Sequence, residues 1–181
     1  ACAVFDAVAD LVAGAIHFAR MADELQKANR KLEQLSMIDG LTGIANRRRF
    51  DQQLCVDWRR MAGEQRPLAL LMVDADAFKP LNDVRGHLYG DECLRELARI
   101  CGTFAEGEDD LVARFGGEEV VLLLPGRDSD AAMAIAEALR VAVEAQALPH
   151  PASPVSAHVT VSVGVATIIP EVSRPPERLI A

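Results

Sequence analysis

The sequence predicts an α+β fold: a β-α-β-β-α-β unit with an antiparallel central sheet, preceded by a long N-terminal helix. Three observations carry that expectation. Leu68 to Val73 is an apolar run of strand length, closed by Asp74. Leu111 to Phe115 and Val120 to Leu124 are two further runs flanking Gly116-Gly117. Two amphipathic helical patterns, one before that pair and one after it, complete the split unit together with a last alternating strand.

The first segment, residues 1–35, holds no proline. Val4, Leu11, Phe18, Leu25 and Leu32 recur every seven residues, and so do Ala7, Gly14, Met21, Ala28 and Leu35. Such a seam over five heptads fits a coiled coil better than a helix packed on its own domain, because it outlasts an average globular helix. It equally suits the last helix of an upstream sensor domain. Asp6, Asp10 and His17 interrupt the apolar residues at the start, so the stretch makes a poor membrane span, and no basic region marks a signal peptide. The chain reads as cytosolic.

A break at Ser36 to Gly40 separates this segment from the domain expected over 36–181. A helix follows from about Asn46 to Met61, and Gly63 to Pro67 reads as a loop. Leu94, Leu97, Ala98 and Cys101 give one helical stripe, and Ala132, Ile135, Ala136, Leu139 and Val143 give the other. Val159, Val161, Val163 and Val165 alternate as a strand. Pro175 to Ile180 reads as the start of a further helix.

Composition sets limits on function. Half of the 181 residues are apolar, enough for a sizeable core, and the net charge of −8 argues against a nucleic-acid polymer as partner. Cys2, Cys55, Cys93 and Cys101 form no C-x-x-C pair and read as small buried hydrophobes in a reducing compartment.

Three acidic features suggest chemistry. At Gly116-Gly117-Glu118-Glu119-Val120, two glycines suit a type I′ hairpin turn and let a ligand approach the backbone. A plain hairpin has no need of two carboxylates beside its turn. Asp74 ends the first core strand, a neighbour of the hairpin in a split unit, so Asp74 and Glu118 can converge. Two carboxylates with nothing basic beside them repel each other, and a hard dication such as Mg²⁺ relieves that. Asp76 could equally serve, and Asp74 has an alternative role as a helix cap. Finally, Asn82 and Asp91 bracket Asp83-Val84-Arg85-Gly86-His87-Leu88-Tyr89-Gly90. Asp91 could cap the following helix, or could accept from N1–H and the 2-amino group of guanine, an edge adenine lacks.

Asp39-Gly40-Leu41-Thr42-Gly43-Ile44-Ala45-Asn46-Arg47-Arg48, the block from Asp74 to Asp91, and the Gly-Gly-Glu-Glu hairpin resemble, in order, the three motifs of GGDEF domains, the diguanylate cyclase family. The resemblance implies the nucleotidyl-cyclase palm fold and condensation of two GTP into cyclic di-GMP and two pyrophosphates. The alternative is a degenerate domain that binds GTP or cyclic di-GMP without turnover. It implies Asp74, the Ala75 carbonyl and Glu118 as holders of Mg²⁺ (or Mn²⁺), with Glu119 as a secondary candidate and Glu118 assisting as base. It implies Asn82 and Asp91 on guanine, and the amides of Phe78 and Lys79 on phosphates, with Gly116 and Gly117 against the nucleotide. Asp39 and Arg114 become structural partners, and His87 orders its loop. Each domain is half a site, so a homodimer through the heptads is implied.

Three departures stand out. Val120 replaces the family's usual Phe. Gly107 replaces the Arg of the R-x-x-D product-inhibition site, in which Asp110 is retained. Nothing matches the Y-x-x-K and G-R-N elements of the family's final helix, so the sequence reads as a domain without it.

Overall fold

The computed structural model describes residues 20, 21 and 37–180. The heptad seam expected over 1–35, and the homodimer it implies, lie outside the described residues save for Arg20 and Met21.

A five-stranded sheet forms the centre, in the order β1-β3-β4-β2-β5. The four long strands β2 (Leu68–Ala75), β3 (Leu111–Gly116), β4 (Glu119–Pro125) and β5 (Val161–Ile168) pair antiparallel. The short β1 (Ala45–Asn46) adds one parallel pairing to β3. The predicted connectivity is the one observed, although β5 begins at Val161, two residues later than the alternation suggests.

Alternate residues on the strands face opposite layers. Ala69, Leu71, Val73, Val120, Leu122 and Leu124 point to one layer, where they meet Leu97, Ile100 and Cys101 of α3 (His87–Gly102) and Ala132, Ala136, Leu139 and Val143 of α4 (Ser129–Glu144). Leu68, Leu70, Val121 and Leu123 point the other way, onto Phe50, Leu54, Trp58 and Met61 of α1 (Arg47–Glu64). Asn46 starts α1 by accepting from the Arg49 amide at 3.1 Å, and Asp128 starts α4 by accepting from Ala131 at 2.9 Å. A third, smaller cluster joins Leu81, Cys93 and Val159, with Phe78, Tyr89 and Leu148 against it.

Several expectations are corrected. A helix, α2 (Phe78–Arg85), occupies a stretch in which the sequence showed only a motif. Pro80 and the uncapped Ala77 disguise it. The C-terminal helix expected from Pro175 is a 3₁₀ turn, Pro176–Leu179, whose Leu179 is buried on the α1 layer. Cys55 is exposed, because it lies off the Phe50–Leu54–Trp58 stripe of α1, whereas Cys93 and Cys101 are buried as expected. Burial pushes the Cys101 thiol up to about 12, so it is inert. No helix among the described residues is long and apolar enough to cross a membrane.

Candidate active site

The hairpin turn sits one residue later than predicted. Gly116 still pairs with Glu119, so the two-residue loop is Gly117-Glu118, and the register shifts between Arg114 and Gly116. Only Gly117 has positive φ, at 51°, which excludes the type I′ turn that needs two such residues. The bulge consumes the extra residue and carries Glu118 into the loop. Arg114 fixes that loop. Its Nε and Nη2 donate to the Gly117 carbonyl at 2.9 and 2.7 Å, while Nη1 meets the Asp39 carboxylate at 3.3 Å. Behind the hairpin, the Phe115 ring packs edge-on against Phe50, and Arg47 lies 4.1 Å over its centre.

Asp74 is paired in register with Glu119 on one side and Ser162 on the other. Burial raises the pKa of its carboxyl, and the nearby charges of Glu118, Glu119 and Asp76 raise it further. Asp76, the alternative metal candidate, is otherwise engaged: its two carboxylate oxygens accept from Thr160 Oγ1 and Ser162 Oγ, each at 2.6 Å. It ties β2 to β5.

Past Asp76 the chain turns sharply. Ala77 has φ 54° and caps α2 without a side-chain hydrogen bond. The Phe78 and Lys79 amides have no acceptor among the described residues, and Pro80 has no N–H. Asn82, one turn on, faces α3 across Gly90. A Cβ at Gly90 would lie 2.0 Å from Asn82 Oδ1, so only glycine admits this side chain. That Oδ1 atom is buried and has no hydrogen-bond partner among the described residues. Asp91 lies within α3, whose N-cap is Gly86, so it does not cap the helix.

One cavity of about 370 Å³ is lined by Phe78, Lys79, Asn82, Asp91, Arg114, Gly117 and Glu118, together with Asp83, His87 and Leu94. Two helices and the hairpin thus bring ten residues, from Phe78 to Glu118, to one place. Asp74, Ala75, Gly116 and Glu119 are not in its lining. Sequence reasoning missed His150, which is buried and has Nε2 3.1 Å from the Ala77 carbonyl. No local pattern marks a contact across 73 positions.

The donor set fits a hard dication completed by a ligand. Among the described residues no group of three or more His, Cys, Asp or Glu is gathered to hold a metal. Asp74 nevertheless keeps an unneutralised carboxyl among acidic neighbours, and Mg²⁺ takes one or two carboxylates plus substrate phosphates and water.

A family model described as diguanylate cyclase, GGDEF domain, matches residues 36–181. The chain belongs to the GGDEF family. It is 38% identical over 146 residues to diguanylate cyclase DgcM of Escherichia coli, a match covering 79% of this chain and 33% of DgcM. Among GGDEF structures, the coiled coil and GGDEF domain of DgcB from Caulobacter crescentus, in complex with c-di-GMP, superposes with a TM-score of 0.71 at 28% identity. That match covers 90% of this chain and 87% of the DgcB chain. The active GGEEF domain of a diguanylate cyclase from Vibrio cholerae gives 0.63 at 26% identity, covering 76% of this chain and 84% of that one.

Gly107 and Asp110 are bonded to each other. The Gly107 amide donates to Asp110 Oδ2 at 2.8 Å, and Arg127 lies 3.5 Å from the same oxygen. A Cβ at Gly107 would stand 2.7 Å from that carboxylate.

Proposed function

We propose that this chain is the GTP-binding half of a diguanylate cyclase. The observation that carries the reading is the single cavity where unbonded helix-start amides, an unpartnered buried Asn82 oxygen, Asp91 and the Gly117-Glu118 loop meet. Asn82 and Asp91 take the guanine edge. Asp91 accepts from N1–H and the 2-amino group, and the wrong base leaves these groups unpaired, which yields strong discrimination. The amides of Phe78 and Lys79, at the positive end of α2, hold phosphate oxygens. Lys79 adds charge from the surface.

Asp74, Glu118 and the Ala75 carbonyl are the residues to hold Mg²⁺ or Mn²⁺, with Glu119 supporting them. When bound, such an ion offsets charge on the phosphates and lowers the pKa of the attacking hydroxyl. Glu118 accepts the proton of the 3′-hydroxyl as its oxygen bonds to the α-phosphorus of a second GTP. The bond from that phosphorus to the bridging oxygen breaks, and pyrophosphate leaves. Repetition of the step with the roles exchanged closes the ring of cyclic di-GMP. One cavity cannot supply both nucleotides, so a homodimer is required, and the heptads of residues 1–35 raise the effective concentration of the second half. An upstream sensor domain would act through them. GTP as substrate sets the domain on the cytoplasmic side.

The test is incubation with GTP and Mg²⁺, followed by chromatography for cyclic di-GMP and pyrophosphate in a one-to-two ratio. GTP binding without either product would favour the regulatory reading. With Gly107 lacking a guanidinium and Asp110 folded onto its amide, product inhibition through this position is weak or absent. Tight cyclic di-GMP binding to an active-site-blocked variant would refute that.

A further inference from the structure

We infer that His150 is a positioning residue that aims the phosphate-binding amide of Phe78 by clamping the carbonyl of Ala77. The inference rests on the phosphate role proposed above for the start of α2.

The Ala77 carbonyl accepts twice: from the Leu81 amide at 3.1 Å, the first bond of α2, and from His150 Nε2, also at 3.1 Å. A carbonyl oxygen only accepts, so Nε2 carries the proton. The Ala77 carbonyl and the Phe78 amide belong to one planar trans peptide. Holding the oxygen therefore fixes the opposite direction, along which the Phe78 N–H points away from His150. A clamp is needed here because Ala77 adopts φ 54° without being glycine, in a conformation that L residues disfavour. The side-chain cap that commonly stabilises a helix start is absent, and it would have occupied the amides that phosphate needs.

His150 is itself firmly seated. It is 1% exposed, its amide donates to Ala157 at 2.8 Å, and Pro149 pairs with His158 in an isolated bridge. Tyr89 of α3 donates its hydroxyl to the Pro149 carbonyl at 2.9 Å. Asp76, one residue before Ala77, is held by Thr160 and Ser162 from the same stretch of chain. The turn before α2 is thus fixed from residues 149–162 at two successive positions. His150 Nδ1 is buried with no partner among the described residues. The ring therefore contributes a single donor, and that donor is spent on Ala77.

The test compares binding of a GTP analogue with a non-cleavable α–β bridge and of guanosine, by calorimetry, to the full chain and its variants. His150→Leu removes the donor and is expected to weaken the analogue about tenfold while leaving guanosine within about twofold. His150→Gln, which carries an N–H at the level of Nε2, should restore the analogue. His150→Asn ends one bond short of Ala77 and should resemble His150→Leu, which keeps the test open if the apolar variant does not fold. Equal weakening of both ligands, or none, would overturn the clamp. If the unsubstituted chain held the analogue no more tightly than guanosine, the phosphate reading itself would fall, and the inference with it.

Discussion

Arg114 grips the carbonyl of Gly117, three residues ahead of it in the same hairpin, with both Nε and Nη2. The bond closes the loop that carries Glu118, and Nη1 ties it to Asp39 at the domain's opening turn. A lysine offers one point charge in place of a planar fork. Arg114→Lys should therefore lower stability by about 1–2 kcal/mol in urea denaturation and reduce cyclic di-GMP formation beyond what that loss explains. Unchanged turnover would show that the loop holds its shape unaided.

Asp39 predicts the response to acid. Burial disfavours its ionised form, but the Thr42 hydroxyl and amide and the Arg114 guanidinium outweigh that and set its pKa below the ordinary 3.8. A carboxyl depressed in the folded state stabilises the fold fully above its unfolded pKa, and that contribution is lost as pH falls through the folded value. The stability advantage of the native chain over Asp39→Asn should be constant above about pH 5 and shrink below 3.8. Denaturation midpoints across that range measure it.

Glu118→Gln should separate activity from stability. It removes a proposed metal holder and base, so turnover should fall on the order of 100-fold or more. It also removes one of the charges that raise the Asp74 pKa, so the melting temperature without Mg²⁺ should stay level or rise. A fall in both would mean that the residue serves the fold.

Gly90→Ala tests the guanine end. The new methyl meets Asn82 Oδ1 at 2.0 Å and Phe78 Cζ at 3.1 Å, so Asn82 must rotate away. The expected cost is about 1–3 kcal/mol of stability, with loss of the preference for GTP over ATP in competitive binding. Retained preference would remove Asn82 from the base site.

The larger elements were legible because each has one dominant signal. Leu68 to Val73 reads as a buried strand from its unbroken apolar run, and Ala132 to Val143 as a helix from its period. Glu118 and Glu119 showed themselves because a plain hairpin has no need of two carboxylates beside its turn, whereas Asp74 and Asp91 each had a helix cap as a rival reading. What was hidden depends on details that no period encodes. The bulge at Arg114–Gly116 moves the turn by one residue. The helix from Phe78 begins on a strained alanine and contains a proline, both of which speak against a helix locally. Asp76 looked as good a metal candidate as Asp74 until β5 brought two hydroxyls to it. His150 had no neighbour in sequence to suggest its partner.

Among the described residues, the strand order gives β5 one neighbour, β2. Its eight residues, Val161 to Ile168, include no charge and no proline, the usual means by which an outer strand refuses company. A row of backbone donors and acceptors there invites any extended segment to join, including a strand from another molecule in a concentrated sample. Replacing an outward residue such as Ser162 with lysine would discourage this, but Ser162 also supports Asp76, so Gly164 is the safer position for a solubilising change.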